Sequence, residues 1–377
     1  PGERLRVRLS PFGRSMVLML RRDARFLAKG FSIEARDPAS VGGSPQKLCF
    51  YSGFVHGQRN SAVTLNMCNG LLGFIRFGEE QLFIEPLAGA AAPASLGLPH
   101  LVSRRSGLHV KSSHDPQEVH YLPQQLCKLI KACEKAERGA RQEEGPRGRR
   151  NAIRPPAREY AVETLVVAAR DVVEEHGTEG STKLLLTGRN IVYNIFQHSS
   201  LAIPIHVRLA RLVLLHEHPV KYTEPNSSNR NLSVFGRCEN RDQAGRYLSW
   251  YRLVGQGDDN HYLTSVKIIV SRTDFCVHTD EPCDTVGIAF LGGMCSDLRK
   301  CVIAEENGLG LAFTIAHELG HNMGMGHDDD DGGGGGGNSA CGLGPSIMAG
   351  EWVRGSNSSE LSWSPCSRLE LQQFLRS

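Results

Sequence analysis

The chain has 377 residues, 40% of them hydrophobic and 22% charged, which is longer than a single core of about 250 to 300 residues and implies two domains. That balance excludes a collagenous, coiled-coil or largely disordered chain, and no apolar run approaches the roughly 18 residues of a membrane helix. The formal net charge of +3 hides a split: residues 1–150 carry 23 Lys and Arg against 13 Asp and Glu, whereas residues 151–377 carry 20 against 27. Halves of opposite charge are expected to attract each other. The basic residues are scattered and form no stripe interleaved with aromatic residues, which argues against a nucleic-acid partner. Eleven cysteines, an odd and dense count, suggest an oxidising compartment.

Pro1 is neither an initiator methionine nor the head of an apolar signal region, so the targeting segment is expected to be absent. The first 150 residues read as β-rich. Residues 63–67 and 81–86 alternate or are enriched in apolar and β-branched residues, and Gly42-Gly43 and Asn69-Gly70 are turn signals. Residues 87–99, rich in Ala, Gly, Pro and Ser, read as a loose linker. A polar, helix-prone stretch at 128–144 leads into Gly145-Pro146-Arg147-Gly148-Arg149-Arg150, with Pro155-Pro156 beyond. Prolines and glycines so placed keep a segment extended and exposed, as a protease cleft requires. Arg147-x-Arg149-Arg150 is similar to a furin-type proprotein convertase site, with cleavage after Arg150. The expected domains are therefore residues 1–150 and residues 151–377.

In the second half a strand at 164–168, an amphipathic helix at 184–196, a strand at 203–215 and a strand at 266–271 take turns, which predicts an α/β sheet with crossover helices. Asn226, Asn231 and Asn357 each open an Asn-x-Ser sequon, as expected of a secreted chain.

The sharpest motif is His317-Glu318-Leu319-Gly320-His321-Asn322-Met323-Gly324-Met325-Gly326-His327. His317 and His321, four residues apart, stack on one helix face, so their imidazoles can share one cation at about 2.0–2.1 Å. A helix continuing past Gly324 would carry His327 away from that cation. Glycine can take a positive φ, end the helix and swing the third histidine back. Three histidines leave zinc an open position for water, whose pKa the metal lowers to around 7; Glu318 is placed to take the proton as general base and deliver it to a leaving amine. The expected reaction is metal-assisted peptide hydrolysis. The eleven-residue motif is the metzincin signature, which calls for a methionine in a tight turn beneath the zinc, and Met348 in Ser346-Ile347-Met348-Ala349-Gly350 supplies one.

These motifs resemble the ADAMTS family, the secreted zinc metalloproteinases with thrombospondin motifs, over nearly the whole chain. Cys49-Phe-Tyr-Ser-Gly, Cys68-Asn-Gly-Leu-Leu-Gly and Ile84-Glu-Pro-Leu are similar to its prodomain, and Val162-Glu-Thr-Leu-Val-Val-Ala to the opening strand of its catalytic domain. Asp274-Phe-Cys-Val-His-Thr-Asp-Glu-Pro-Cys-Asp-Thr-Val-Gly, Ala312-Phe-Thr-Ile-Ala-His-Glu-Leu-Gly-His and Gly350-Glu-Trp-Val resemble the branch of its seventeenth and nineteenth members. His327-Asp328 is the form shared by adamalysin-like proteases.

The resemblance implies an α/β metzincin catalytic domain with a twisted, mostly parallel sheet and helices, preceded by a β-rich prodomain. It implies a secreted zymogen of a zinc endopeptidase, activated by a furin-like convertase and acting on proteins in or associated with the extracellular matrix. It further implies a structural calcium on the carboxylates of Asp274 and Glu305 with the carbonyls of Phe275, Cys283 and Thr285. The family's disulfides carry over as Cys238–Cys301, Cys276–Cys283 and Cys341–Cys366, with Cys295 pairing to a cysteine after the C-terminus; in the first domain Cys49 and Cys68 are the natural pair. Family zymogens silence zinc with a prodomain thiolate, here Cys127 or, as the alternative, Cys133. The chain departs from the family in Asp328–Asp331 with Gly332–Gly337, which reads as a disordered excursion, in Ala169, and through residues 219–259. A rival reading is a matrix-binding or scaffold protein whose protease domain acts on little beyond itself.

Overall fold

Met16, Leu18 and Leu20 are buried while their neighbours Val17 and Met19 are half exposed, so β2 (Met16–Arg22) has one core face. The computed structural model describes residues 4–36, 49–68, 70–78, 80–87, 99–104, 111–113, 160–216, 266–272, 285–296, 299–328, 341, 346–350 and 362–376. With β1 (Arg4–Leu9), β4 (Phe50–Val55), β5 (Ala62–Asn66), β6 (Leu72–Phe77), β7 (Glu80–Pro86) and β8 (His100–Arg104), β2 forms an antiparallel sheet in the order β1-β2-β4-β5-β6-β7-β8. Its core gathers Met16, Leu18, Leu20, Val55, Val63, Leu65, Ile75, Leu82 and Ile84. The sheet curls until its ends meet: Arg14, between β1 and β2, pairs with Glu80 of β7 at 3.2 Å, and the Arg104 guanidinium of β8 lies 4.0 Å from the Phe12 ring centre.

The second sheet is built on β10 (Tyr160–Ala168), β11 (Ile205–Leu215), β12 (Val266–Ser271) and β14 (Cys301–Glu305), all parallel, with β13 (Thr285–Ala289) antiparallel to β14. Leu165–Ala168 and Leu212–Leu215 are apolar without alternation, as expected of parallel strands covered on both faces. Helix α1 (Arg170–Phe196) makes the crossover from β10 to β11. It begins well before the expected residue 184, because its first turns carry Glu174, Glu175 and His176 toward solvent and show no apolar stripe; Gly177, at φ 66°, breaks the regular backbone there. Helix α2 (Leu311–Asn322) is buried at every residue, and α3 (Pro365–Phe374) closes the described chain.

The order of the second sheet is β3-β11-β10-β12-β14-β13-β9, and its two outermost strands come from the first 150 residues. β3 (Leu27–Arg36) leaves the first sheet between β2 and β4 and runs parallel to β11, pairing Leu27 with Leu209 and then, past a bulge, Ser32 through Arg36 with Arg211 through Leu215. β9 (Lys111–Ser113) runs parallel to β13, with Ser112 opposite Gly287. Phe26, Phe50, Leu72 and Phe74 belong to the same buried cluster as the second sheet and its helices. Among the described residues the shared surface is chiefly apolar, and the ion pair Arg211–Glu34 joins a cation of the acidic half to an anion of the basic half. No helix among the described residues is long and apolar enough to cross a membrane.

Candidate metal centre

Helix α2 lies inside the molecule because Leu311, Ala312, Phe313, Ile315, Ala316 and Leu319 surround it with apolar surface. It carries His317 and His321 on one face. Their Nδ1 atoms lie 2.7 Å from the carbonyl oxygens of Ile347 and Met325, respectively. A carbonyl only accepts, so each Nδ1 bears the proton and each Nε2 presents a lone pair. Those two Nε2 atoms are 3.0 Å apart, and Nε2 of His327 lies 3.3 Å from that of His317 and 3.1 Å from that of His321. All three rings are buried. Lone pairs so directed repel unless a cation stands between them, and a triangle of this size accommodates zinc at roughly 2.0–2.1 Å from each nitrogen.

The helix stops where the third ligand needs it to. Gly324 takes φ 85°, its N–H donates to the His321 carbonyl at 2.8 Å, and the Met325 N–H donates to the Gly320 carbonyl at 3.0 Å. These two bonds form a Schellman motif, which reverses the chain and returns His327 toward the helix. Both neighbours of His327 are then tied down. The Gly326 N–H donates to Glu370 of α3 at 3.0 Å. Asp328, 4% exposed, accepts from the hydroxyls of Ser346, Ser364 and Ser367, and its N–H donates to the Met348 carbonyl at 3.0 Å. Ser364 also caps α3 by accepting from the Ser367 N–H at 2.9 Å.

Met348 is fully buried under α2, and Gly320 is what lets it approach: a Cβ there would collide with the Met348 sulfur. Trp363 supports this turn, its indole N–H donating to the Ile195 carbonyl at 3.1 Å and its ring lying 4.9 Å from Phe196. Glu318, one residue after the first ligand, is 0% exposed and faces β13, where a Cβ on Gly287 would stand 2.7 Å from Glu318 Oε1. Gly320, Gly287 and the Asp328 network carry roles that the sequence did not reveal. Asp328 was legible only as a neighbour of the motif, because its serine partners are 18, 36 and 39 residues away.

Of the remaining site residues, Glu305 ends β14 and Thr285 begins β13, at the same end of that antiparallel pair. Asp274, Phe275, Cys283, Cys276, Cys238, Cys127, Cys133, Arg147, Arg149 and Arg150 lie outside the described residues. Cys49 is bonded to Cys68 and Cys341 to Cys366; the second bond joins residue 341 to α3. Cys295, expected to pair beyond the C-terminus, is instead disulfide-bonded within this chain.

Residues 267–377 match the family described as Reprolysin (M12B) family zinc metalloprotease, and residues 1–56 match the Reprolysin family propeptide. The chain is 38% identical over its whole length to human "A disintegrin and metalloproteinase with thrombospondin motifs 19", covering 31% of that protein. It is 32% identical to the human protein numbered 10 in the same series, over 96% of this chain and 33% of that one. The chain thus spans about a third of the length of these relatives. Among solved structures it is similar to metalloproteinase-II from Bacteroides fragilis, at 11% identity and a TM-score of 0.49, over 99% of this chain and 91% of that chain.

Proposed function

The chain belongs to the ADAMTS family, and from that premise we propose that it is the prodomain and catalytic domain of a secreted zinc endopeptidase zymogen. The carrying observation is the convergence of three buried histidine Nε2 atoms beside Glu318. The family implies a catalytic zinc, and His317, His321 and His327 would hold it. When bound, zinc supplies Lewis acidity at the position that three protein ligands leave open. Every other task falls to the chain. The bonds to Ile347 and Met325 fix the tautomers of His317 and His321 and keep the rings from turning. Glu318 takes a proton from the water that attacks the scissile carbonyl and delivers it to the departing amine. Its burial against β13 keeps that transfer away from bulk water.

Activation would follow cleavage after Arg150, with Arg147, Arg149 and Arg150 read by a furin-like convertase. Before the cut, Cys127 would silence the metal, with Cys133 as the alternative; latency that survives Ser at both positions would rule out a thiolate. Asp274 and Glu305 would hold a structural calcium with the carbonyls of Phe275, Cys283 and Thr285, a reading supported by the shared strand end that carries Glu305 and Thr285. Substrates would be proteins in or associated with the extracellular matrix. The test is cleavage of a peptide library by convertase-treated protein whose new N-terminus is sequenced, with Glu318→Gln as control. A start at Asn151 and Glu318-dependent cleavage are expected. A different start would reject the processing site, and no Glu318-dependent cut in any peptide would favour a matrix-binding scaffold instead.

A further inference from the structure

We infer that cleavage after Arg150 does not release residues 1–150: they stay as a second subunit of a two-chain protein, held through β3 in the edge of the second sheet beside β11. This rests on the proposed processing at Arg150 only for its biological setting, since any cut between β9 and β10 poses the same question.

β3 is not appended to a finished sheet. The chain enters the second sheet after β2 and returns to the first as β4, so β3 is anchored at both ends within residues 1–150. Its pairing with β11 begins where the Leu209 N–H donates to the Phe26 carbonyl at 2.7 Å, and it resumes from Ser32 to Arg36. A cut at residue 150 severs none of these bonds. Phe26 is fully buried in the core of the second sheet, its ring 5.0 Å from that of Phe50. Phe74 and Phe83 of the first sheet pack against Phe313 of α2, with centroids 5.2 and 6.2 Å away. Between β4, β5 and α1, Asn194 donates to Ser52 and Asn66 donates to Thr187, at 3.3 and 3.4 Å. Backbone ladder and apolar packing dominate this contact, and neither is weakened by salt in the way that exposed charge pairs are. Retention through these contacts does not depend on the net charges of the two halves.

The experiment replaces residues 147–150 with the recognition sequence of an unrelated site-specific protease, which separates this question from both convertase processing and catalysis. After the nick, size-exclusion chromatography is run at about 0.15 M and about 1 M NaCl. Backbone hydrogen exchange of residues 209–215 is compared before and after cutting. The expected result is co-elution of both chains at either salt concentration, with no more than about a twofold change in exchange. Phe26→Ala should release residues 1–150 on cutting; if that variant does not fold, exchange in the wild-type nicked protein decides alone. Separation of the wild-type chains at the lower salt overturns the inference. So does co-elution only at low salt, or co-elution with exchange of 209–215 accelerated more than about tenfold, which would mean that another surface holds the chains.

Discussion

At Gly287 the nearest neighbours of an added Cβ would be Glu318 Oε1 and Thr314 Cγ2, both at 2.7 Å. They belong to a buried helix that cannot retreat without displacing His317, so Gly287→Ala should cost about 1–3 kcal/mol in stability and lower kcat by roughly tenfold or more. Thermal unfolding and peptide hydrolysis read the two effects. Gly188, inside α1 with nothing within 4 Å of an added Cβ, is the matching control: Gly188→Ala should stabilise by about 0.5–1 kcal/mol. Asp23, 3% exposed, shows a different balance. Burial pushes its carboxyl up, but the Arg25 side chain and backbone bonds outweigh that and hold it below the ordinary 3.8. A depressed folded-state pKa contributes stability that is present above 3.8 and lost as pH falls through the folded value. The melting temperature should therefore drop on acidification below about pH 4, and Asp23→Asn should flatten that drop while lowering stability at neutral pH. At this scale the positions of His317, His321 and Glu318 were legible, because spacing along one helix carries them, and that of His327 because the motif sets it just past the glycine that ends the helix. Gly287 was not, since its partner lies 31 residues ahead and only folding brings them together.

The end of α2 shows how an element positions a ligand. Gly324 supplies the left-handed backbone and one of the two N–H to C=O bonds that reverse the chain, and Met325 donates the other. Gly324→Ala should cost about 1–2 kcal/mol and move His327 away from its partners, so zinc affinity measured by chelator competition should fall by about tenfold or more. Unchanged affinity would mean that Asp328 and Gly326 hold His327 without the cap. Helix termination at Gly324 could be read from residue type alone, because glycine is the residue that takes positive φ without penalty. The first half of α1 could not: Glu174, Glu175, His176 and Gly177 show no apolar stripe, and burial of Val172 and Val173 in the core, with the Ser181 hydroxyl bonded back to the Val172 carbonyl, holds it in place.

Across the whole molecule, fold class followed from strands and helices taking turns, but the membership of β3 in the second sheet did not. Leu27–Arg36 has no feature that distinguishes a strand pairing with β2 or β4 from one pairing with β11, because ladder partners are chosen by the surfaces on either side. A split in net charge was legible, but charge counted over halves does not say which side chains reach the contact. The same pairing sets what happens if residues 1–150 are ever stripped away. β11 would then present backbone N–H and C=O groups along Arg211–Leu215 with no strand beside them, flanked by the apolar side chains that Phe26 had covered. Bare edges of that kind recruit other chains. The isolated 151–377 region should accordingly self-associate as its concentration rises, visible by light scattering, whereas the nicked two-chain form stays monodisperse. On that view residues 1–150 also guard an edge, and their departure would cost solubility.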